Sequence, residues 1–283
     1  MILITGGTGT SGQPIVNALL DRGERVRVLA RDPEKAAKLL GDDVEIVRGD
    51  FSDVGSLEAA MEGVERAMLI INSVPNLVEL EANFIDAAKR GGVGHVVKFS
   101  VVLADEKSDM RFMRLHAASE AKLKGSGLAW TMLQPTFFLQ NLLGYAPMVK
   151  AGALYMPTGN GRAPFVDTRD IAAVAAAALT ERGHEGKTYI ITGPRSVSLS
   201  DIAKALGDAI GHEVKHVDVP PEVAKQSLMQ TGVPEWGADG VNELNAALKA
   251  GRFDHLSDAV REVGKKEPIT LEQFVREHAA TFR

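Results

Sequence analysis

The sequence contains no cysteine, which excludes disulfides, thiolate metal sites and cysteine nucleophiles. No apolar stretch approaches the ~18 residues a membrane span needs, and no leader-like segment precedes the first apolar run. A cytoplasmic protein with no membrane contact is expected. There is no long basic run, and the net charge of -5 gives no reason to expect nucleic-acid binding. Neither His-Glu-x-x-His nor Gly-x-Ser-x-Gly occurs. His212 and His216 have the spacing to face one side of a strand, but nothing supplies further ligands, so no metal is expected. Internal repeats and low-complexity linkers are missing too. The remainder is ordinary globular material, 45% hydrophobic and 24% charged over 283 residues. That is enough for one large core, or a core with a smaller lobe.

The opening residues carry the strongest signal. Met1 to Thr5 is an unbroken apolar run that reads as a buried parallel strand. It leads into Gly6-Gly7-Thr8-Gly9-Thr10-Ser11-Gly12, and then into the helical pattern from Pro14 to Leu20. Strand, glycine loop and helix together are the context of a dinucleotide fingerprint, here spaced Gly6-x-x-Gly9-x-x-Gly12. Glycines let the backbone turn tightly and approach a pyrophosphate, while the helix N-terminus favours its negative charge.

Further strands are expected at Arg25–Ala30, Val44–Arg48, Ala67–Ile71, Val96–Ser100 and Ala129–Leu133, alternating with helices. Such a rhythm predicts an α/β fold, a Rossmann-like doubly wound parallel sheet whose ligands lie beyond the carboxyl ends of its strands. Gly9, Arg31, Asp50, Asn72, Ser73 and Ser100 then share one rim. An NAD site usually has an acid at the end of the second strand, but here Arg31 stands there and can pair with a 2′-phosphate. NADP(H) is therefore expected, with NAD(H) weaker. Asp50 and Phe51 are positioned for the adenine, the carboxylate accepting from its amino group and the ring neighbour covering it. After residue 142 the alternation fades. Residues 1–145 are expected to form the NAD(P)-binding domain, and 146–283 a smaller, mostly helical C-terminal lobe woven onto the sheet. Met148, Tyr155, Met156, Phe165 and Trp236 are candidates to line an aromatic-tolerant pocket.

Thr5–Gly12, Ala30-Arg31-Asp32-Pro33, Gly49–Asp53 and Leu133-Gln134-Pro135 together resemble the atypical short-chain dehydrogenase/reductase superfamily. The sequence is most similar to its NmrA-like group, which includes type 2 NAD(P)H:quinone oxidoreductases and triphenylmethane dye reductases. His116–Glu120, Gly127–Thr131, Pro135–Asn141 and Leu271–Phe274 carry that likeness. Most catalytic members of the superfamily use Tyr-x-x-x-Lys after the fifth strand. Of Tyr145, Tyr155 and Tyr189 none has a lysine four residues on, and His116 and Glu120 occupy the corresponding places. Sharing one helix face, Glu120 is expected either to orient His116 and favour its charged form, making His116 a proton donor, or to bond Lys124 instead as a surface pair.

The resemblance implies an NADPH-dependent reductase of a quinone or similar conjugated aromatic, a monomer or homodimer. Such an acceptor stabilises incoming charge itself and needs little beyond placement against the nicotinamide. The same group also contains non-enzymatic NADP(H)-binding sensors that act through a protein partner. Cofactor contacts are expected from Gly6, Thr8, Gly9, Thr10, Ser11, Gly12, Arg31, Asp50, Phe51, Asn72, Ser73, Ser100, Pro135, Phe137, Phe138 and Asn141. Phe138, Tyr155 and Trp236 are expected to face the substrate.

Overall fold

In the computed structural model, which describes residues 1–283, the N-terminal apolar run forms β1 (Ile2–Thr5), buried along its whole length. After the glycine loop, α1 (Gly12–Leu20) presses Ile15, Val16 and Leu19 against the sheet. The chain continues through β2 (Val26–Ala30), α2 (Pro33–Leu40), β3 (Glu45–Arg48), α3 (Val54–Ala60), β4 (Arg66–Leu69), α4 (Leu77–Arg90), β5 (His95–Phe99), α5 (Arg111–Gly125) and β6 (Ala129–Pro135). Local chemistry sets several helix starts. Asp32 accepts from the Lys35 N–H at 3.0 Å, with Pro33 at the first helical position, and Asp53 accepts from the Ser56 N–H at 3.2 Å.

A 3₁₀ turn (Leu139–Tyr145) then leads to α6 (Ala146–Lys150), β7 (Ala153–Tyr155), β8 (Arg162–Ala163), α7 (Thr168–Thr180) and β9 (Lys187–Ile191). The last part comprises β10 (Val197–Ser198), α8 (Leu199–Ile210), β11 (Lys215–Val217), α9 (Pro221–Gln230), α10 (Glu235–Lys249), α11 (Ala259–Glu262), α12 (Leu271–Glu277) and α13 (Ala279–Phe282). Asp167 caps α7 by accepting from the Arg169 N–H at 2.8 Å, and Ser198 with Asp201 forms a capping box on α8.

The central sheet runs β3-β2-β1-β4-β5-β6-β9, and every adjacent pair is parallel. Strand order reverses between β1 and β4, so a crevice opens at their carboxyl ends. Both faces are covered, as a parallel sheet requires. The β5 residues alternate accordingly: Val97 and Phe99 pack toward α1 and α7, while Val96 joins the core on the other face with α3 and α4. The segment after Tyr145 supplies more than a lobe. Its α7, nearly all alanine between Ala172 and Ala178, lies in the core with α1, and β9 extends the sheet beside β6.

A second core lies among α6, β7, α8, α12 and α13, with Leu154, Leu206, Phe274 and Phe282 fully enclosed. His216 is on β11 and hydrogen-bonds the Met156 carbonyl at 3.0 Å, whereas His212 is exposed in the turn before it. The two histidines therefore do not share a strand, contrary to their spacing. The turn after Gly211 delays that strand until Lys215.

Candidate active site

The glycine loop is built by close approach. Gly6 has φ +63°, a conformation that favours glycine, and its carbonyl accepts from the Gly9 N–H at 2.9 Å. A Cβ on Gly12 would lie 2.1 Å from the Gly6 oxygen, closer than any side chain tolerates. The loop is anchored to β4 through Thr5, whose hydroxyl donates to the Ile70 carbonyl at 2.9 Å and accepts from the Ile70 N–H at 2.7 Å. Thr8 is half-buried, Gly9 and Thr10 are exposed, and Ser11 and Gly12 are buried at the start of α1. A chain of peptide groups at a helix N-terminus, cleared of side chains, fits a diphosphate.

Arg31 is exposed just past β2. Across from it, Asp50 follows β3 and accepts from the Ser52 hydroxyl at 2.6 Å and the Ser52 N–H at 2.9 Å. These bonds, with the Arg31 charge, hold the Asp50 carboxyl below its usual range. Phe51 packs on Phe84 at 6.0 Å between ring centroids, and its carbonyl accepts from the Asn83 amide at 3.0 Å. A cation, an acceptor and a half-buried ring thus occupy adjacent strand ends. This donor set fits a 2′-phosphorylated adenosine.

On α5 the structure departs from expectation. Glu120 does not face His116. Its Oε1 accepts from the Ser100 hydroxyl at 2.6 Å and the Gln134 amide at 2.8 Å, and its Oε2 from Lys124 at 3.0 Å. It therefore ties the ends of β5 and β6 to the helix. His116 turns the other way, to Ser73 in the loop after β4, with Nε2 3.2 Å from the serine Oγ. Its Nδ1 is buried without a partner. Burial, and then the nearby Lys98 charge, push the His116 imidazole well below its usual titration range, the reverse of the expected shift. Both effects favour the neutral ring.

Lys98 belongs to a cluster that the sequence reading missed. Its Nζ donates to Glu81 on α4 at 2.7 Å, and Ser119 on α5 donates to the same carboxylate. Both charged side chains are shielded from solvent completely. A signal was present: Lys98 interrupts an apolar strand, and Glu81 sits in register with Leu77, Phe84, Ile85 and Ala88 on the buried side of its helix.

After β6, Phe138 pairs with Val166 and sets its ring against Phe99 at 6.0 Å, and Gln134 and Gln140 are half-buried. Phe137 points elsewhere. It stacks on Phe165 at 5.4 Å and meets Phe253 edge-on at 4.8 Å, filling the second core. Pro135 is buried, while Asn141 and Asn72 are exposed. Tyr155, 47% exposed, points outward from β7. Phe165 is enclosed, and Trp236 packs edge-on to Phe112 at 5.4 Å, under the Arg111 guanidinium. Of the pocket candidates, Met148, Met156 and Phe165 pack in the second core, whereas Tyr155 and Trp236 stand outside it.

This chain belongs to the NmrA-like family, whose description matches residues 1–275. It is 38% identical over 283 residues to an NAD(P)H azoreductase of Xenophilus azovorans, covering 100% of this chain and 99% of the relative. Its fold matches the NADPH-dependent quinone oxidoreductase of Escherichia coli complexed with NADPH, with a TM-score of 0.89, 27% identity and coverage of 98% and 99%. It also matches the Citrobacter sp. triphenylmethane reductase complexed with NADP(H), with a TM-score of 0.88, 27% identity and coverage of 98% and 99%. The relatives named here are reductases or oxidoreductases that use a nicotinamide cofactor, and in this chain no helix is long and apolar enough to cross a membrane.

Proposed function

We propose that the protein is an NADPH-dependent reductase that delivers hydride to a quinone, an azo dye or a similarly conjugated acceptor. One observation carries the reading: a glycine cradle closed to side chains at Gly12 runs along the same rim as Arg31 and the His116–Ser73 pair. The loop from Gly6 to Gly12 would hold the diphosphate, Arg31 the 2′-phosphate, and Asp50 with Phe51 the adenine. Pro135, Phe138 and Asn141, at the end of β6, would border the nicotinamide end, with Phe137 behind them as packing. When bound, NADPH supplies the hydride. The named acceptors of the relatives, an azo compound, a quinone and a triphenylmethane dye, share extended conjugation. Such acceptors delocalise incoming charge, so Tyr-x-x-x-Lys is dispensable.

His116 serves this reaction as a hydrogen-bonding group to Ser73 rather than as a proton donor. Mixing the protein with NADPH and a panel of quinones and azo dyes, while following the absorbance of the reduced nicotinamide, tests the reading. Oxidation that saturates with acceptor is expected. No oxidation with any acceptor, together with cofactor-dependent capture of a protein partner, would establish the sensor instead.

A further inference from the structure

Two serines stand at neighbouring strand ends on the rim, and they differ in what their hydroxyls have left to give. Ser100 is fully buried and donates to Glu120 at 2.6 Å, so it has no proton for a ligand. Ser73 is half-buried, and its only hydrogen bond within the protein is to His116 Nε2 at 3.2 Å. We propose, building on the reductase reading, that the Ser73 hydroxyl is the group that meets the acceptor oxygen. His116 stands behind it as the positioning residue that sets the direction of that O–H.

The geometry follows from proton counting. The ring has an acceptor in reach at Nε2 and none at Nδ1. We assign the single ring proton to Nε2, because a buried N–H without an acceptor is the rarer and costlier arrangement. An Nε2–H directed at Ser73 Oγ occupies a serine lone pair, and the serine proton must then point elsewhere. No acceptor within the protein takes it. Ser73 is half-buried at the strand-end rim, so that proton is left for a ligand there.

Everything charged around the ring preserves this state. From β5 Lys98 opposes a second ring proton, and its Nζ donates to Glu81 from α4, which Ser119 also bonds. On the helix of His116 itself, Glu120 is turned to Ser100, Gln134 and Lys124. No free carboxylate is left to protonate the imidazole. Reduction adds a hydride, hence two electrons, to the acceptor and leaves negative charge on one of its oxygens. Ser73 donates a hydrogen bond to that oxygen, and the proton that completes the hydroquinone comes from water.

The experiment compares Ser73→Ala, His116→Phe and the double variant, reading kcat with a quinone, the Kd for NADPH, and the binding of hydroquinone to the NADP⁺ form by calorimetry. One preorganised donor to a developing oxyanion is worth about 10²–10³-fold in kcat, so a loss of at least tenfold is expected for Ser73→Ala. NADPH affinity should stay within about twofold, and hydroquinone affinity should fall about fivefold or more. The double variant should be no slower than the worse single variant, because both act through one hydrogen bond. If His116→Phe fails to fold, His116→Gln, which still donates to Oγ, should restore part of the rate. Wild-type kcat in Ser73→Ala, or losses that multiply in the double variant, would overturn the proposal. So would an effect confined to NADPH affinity, which would assign Ser73 to the cofactor. Ser73-dependent binding of hydroquinone without turnover would instead leave this inference standing and refute the reductase reading. A wild type that binds no hydroquinone would refute both.

Discussion

The Lys98–Glu81 pair offers a perturbation whose size can be worked out beforehand. Both side chains have 0% exposure, and the carboxylate also takes a hydrogen bond from Ser119. Replacing Lys98 by Met leaves a carboxylate in the core without its cation, a loss of about 3–5 kcal/mol. That is a large part of the ~5–15 kcal/mol typical of a folded domain. Glu81→Leu should cost about as much, since it strands the ammonium. Combining the two removes both charges and leaves apolar side chains of similar bulk among Val96, Phe84 and Ala88. Only the Ser119 hydroxyl then lacks a partner, at about 1–3 kcal/mol. The double variant should therefore be more stable than either single one, with a coupling of several kcal/mol. Urea unfolding at pH 7.5, followed by far-ultraviolet circular dichroism with unchanged m, measures all four proteins. A double variant as unstable as the sum of the singles would refute the view that the charges matter chiefly to each other. Singles that lose less than about 1 kcal/mol would refute the burial of the pair.

Other outcomes follow from the site. Gly12→Ala sets a methyl 2.1 Å from the Gly6 oxygen, so NADPH titration should show loss of binding with the overall circular dichroism retained; unchanged affinity would place the phosphate site elsewhere. NADPH should bind at least about tenfold tighter than NADH, about 1.4 kcal/mol, and Arg31→Ala should erase most of that difference; equal affinities in the wild type would refute it. His116 and His95 are both held below their usual range, first by burial. The unfolded chain takes up those protons below about pH 6.5 and the folded chain does not. Their contribution is thus intact above pH 6.5 and falls with acidification, at up to about 1.4 kcal/mol per unit for each group. Urea midpoints at pH 7.5 and 5.5 should converge in His95→Gln relative to wild type, and an unaltered slope would count against the assignment.

Much of the fold could be read directly, because the signals were local. A buried apolar strand, a glycine loop and a capped helix each depend on residues within a few positions, as at Ile2–Thr5, Gly12 and Asp32. The strand ends carrying Arg31, Asp50 and Ser73 could be placed together because a parallel sheet aligns its carboxyl ends. Side-chain partnership was less visible. His116 and Glu120 share a helix face, yet the strands and loops packed on that face decide where each turns. Gln134 and Ser100 draw Glu120, and Ser73 meets His116. Phe137 and Phe138 are adjacent in sequence but enter different cores. Lys98 and Glu81 are 17 positions apart and find each other only once β5 and α4 have packed.

The return of the chain to the sheet has a consequence for synthesis on the ribosome. β6 is complete once Pro135 has emerged, but its outer neighbour β9 begins only at Lys187. Through that interval the row of peptide groups on β6 is an open edge, able to pair with any other extended chain. The face of α1 that α7 will cover is bare over the same interval. A nascent polypeptide stopped near Tyr145 would carry the whole glycine cradle and still lack the strand and helix that enclose its support. The open edge of β6 closes only when β9, Lys187–Ile191, has been added.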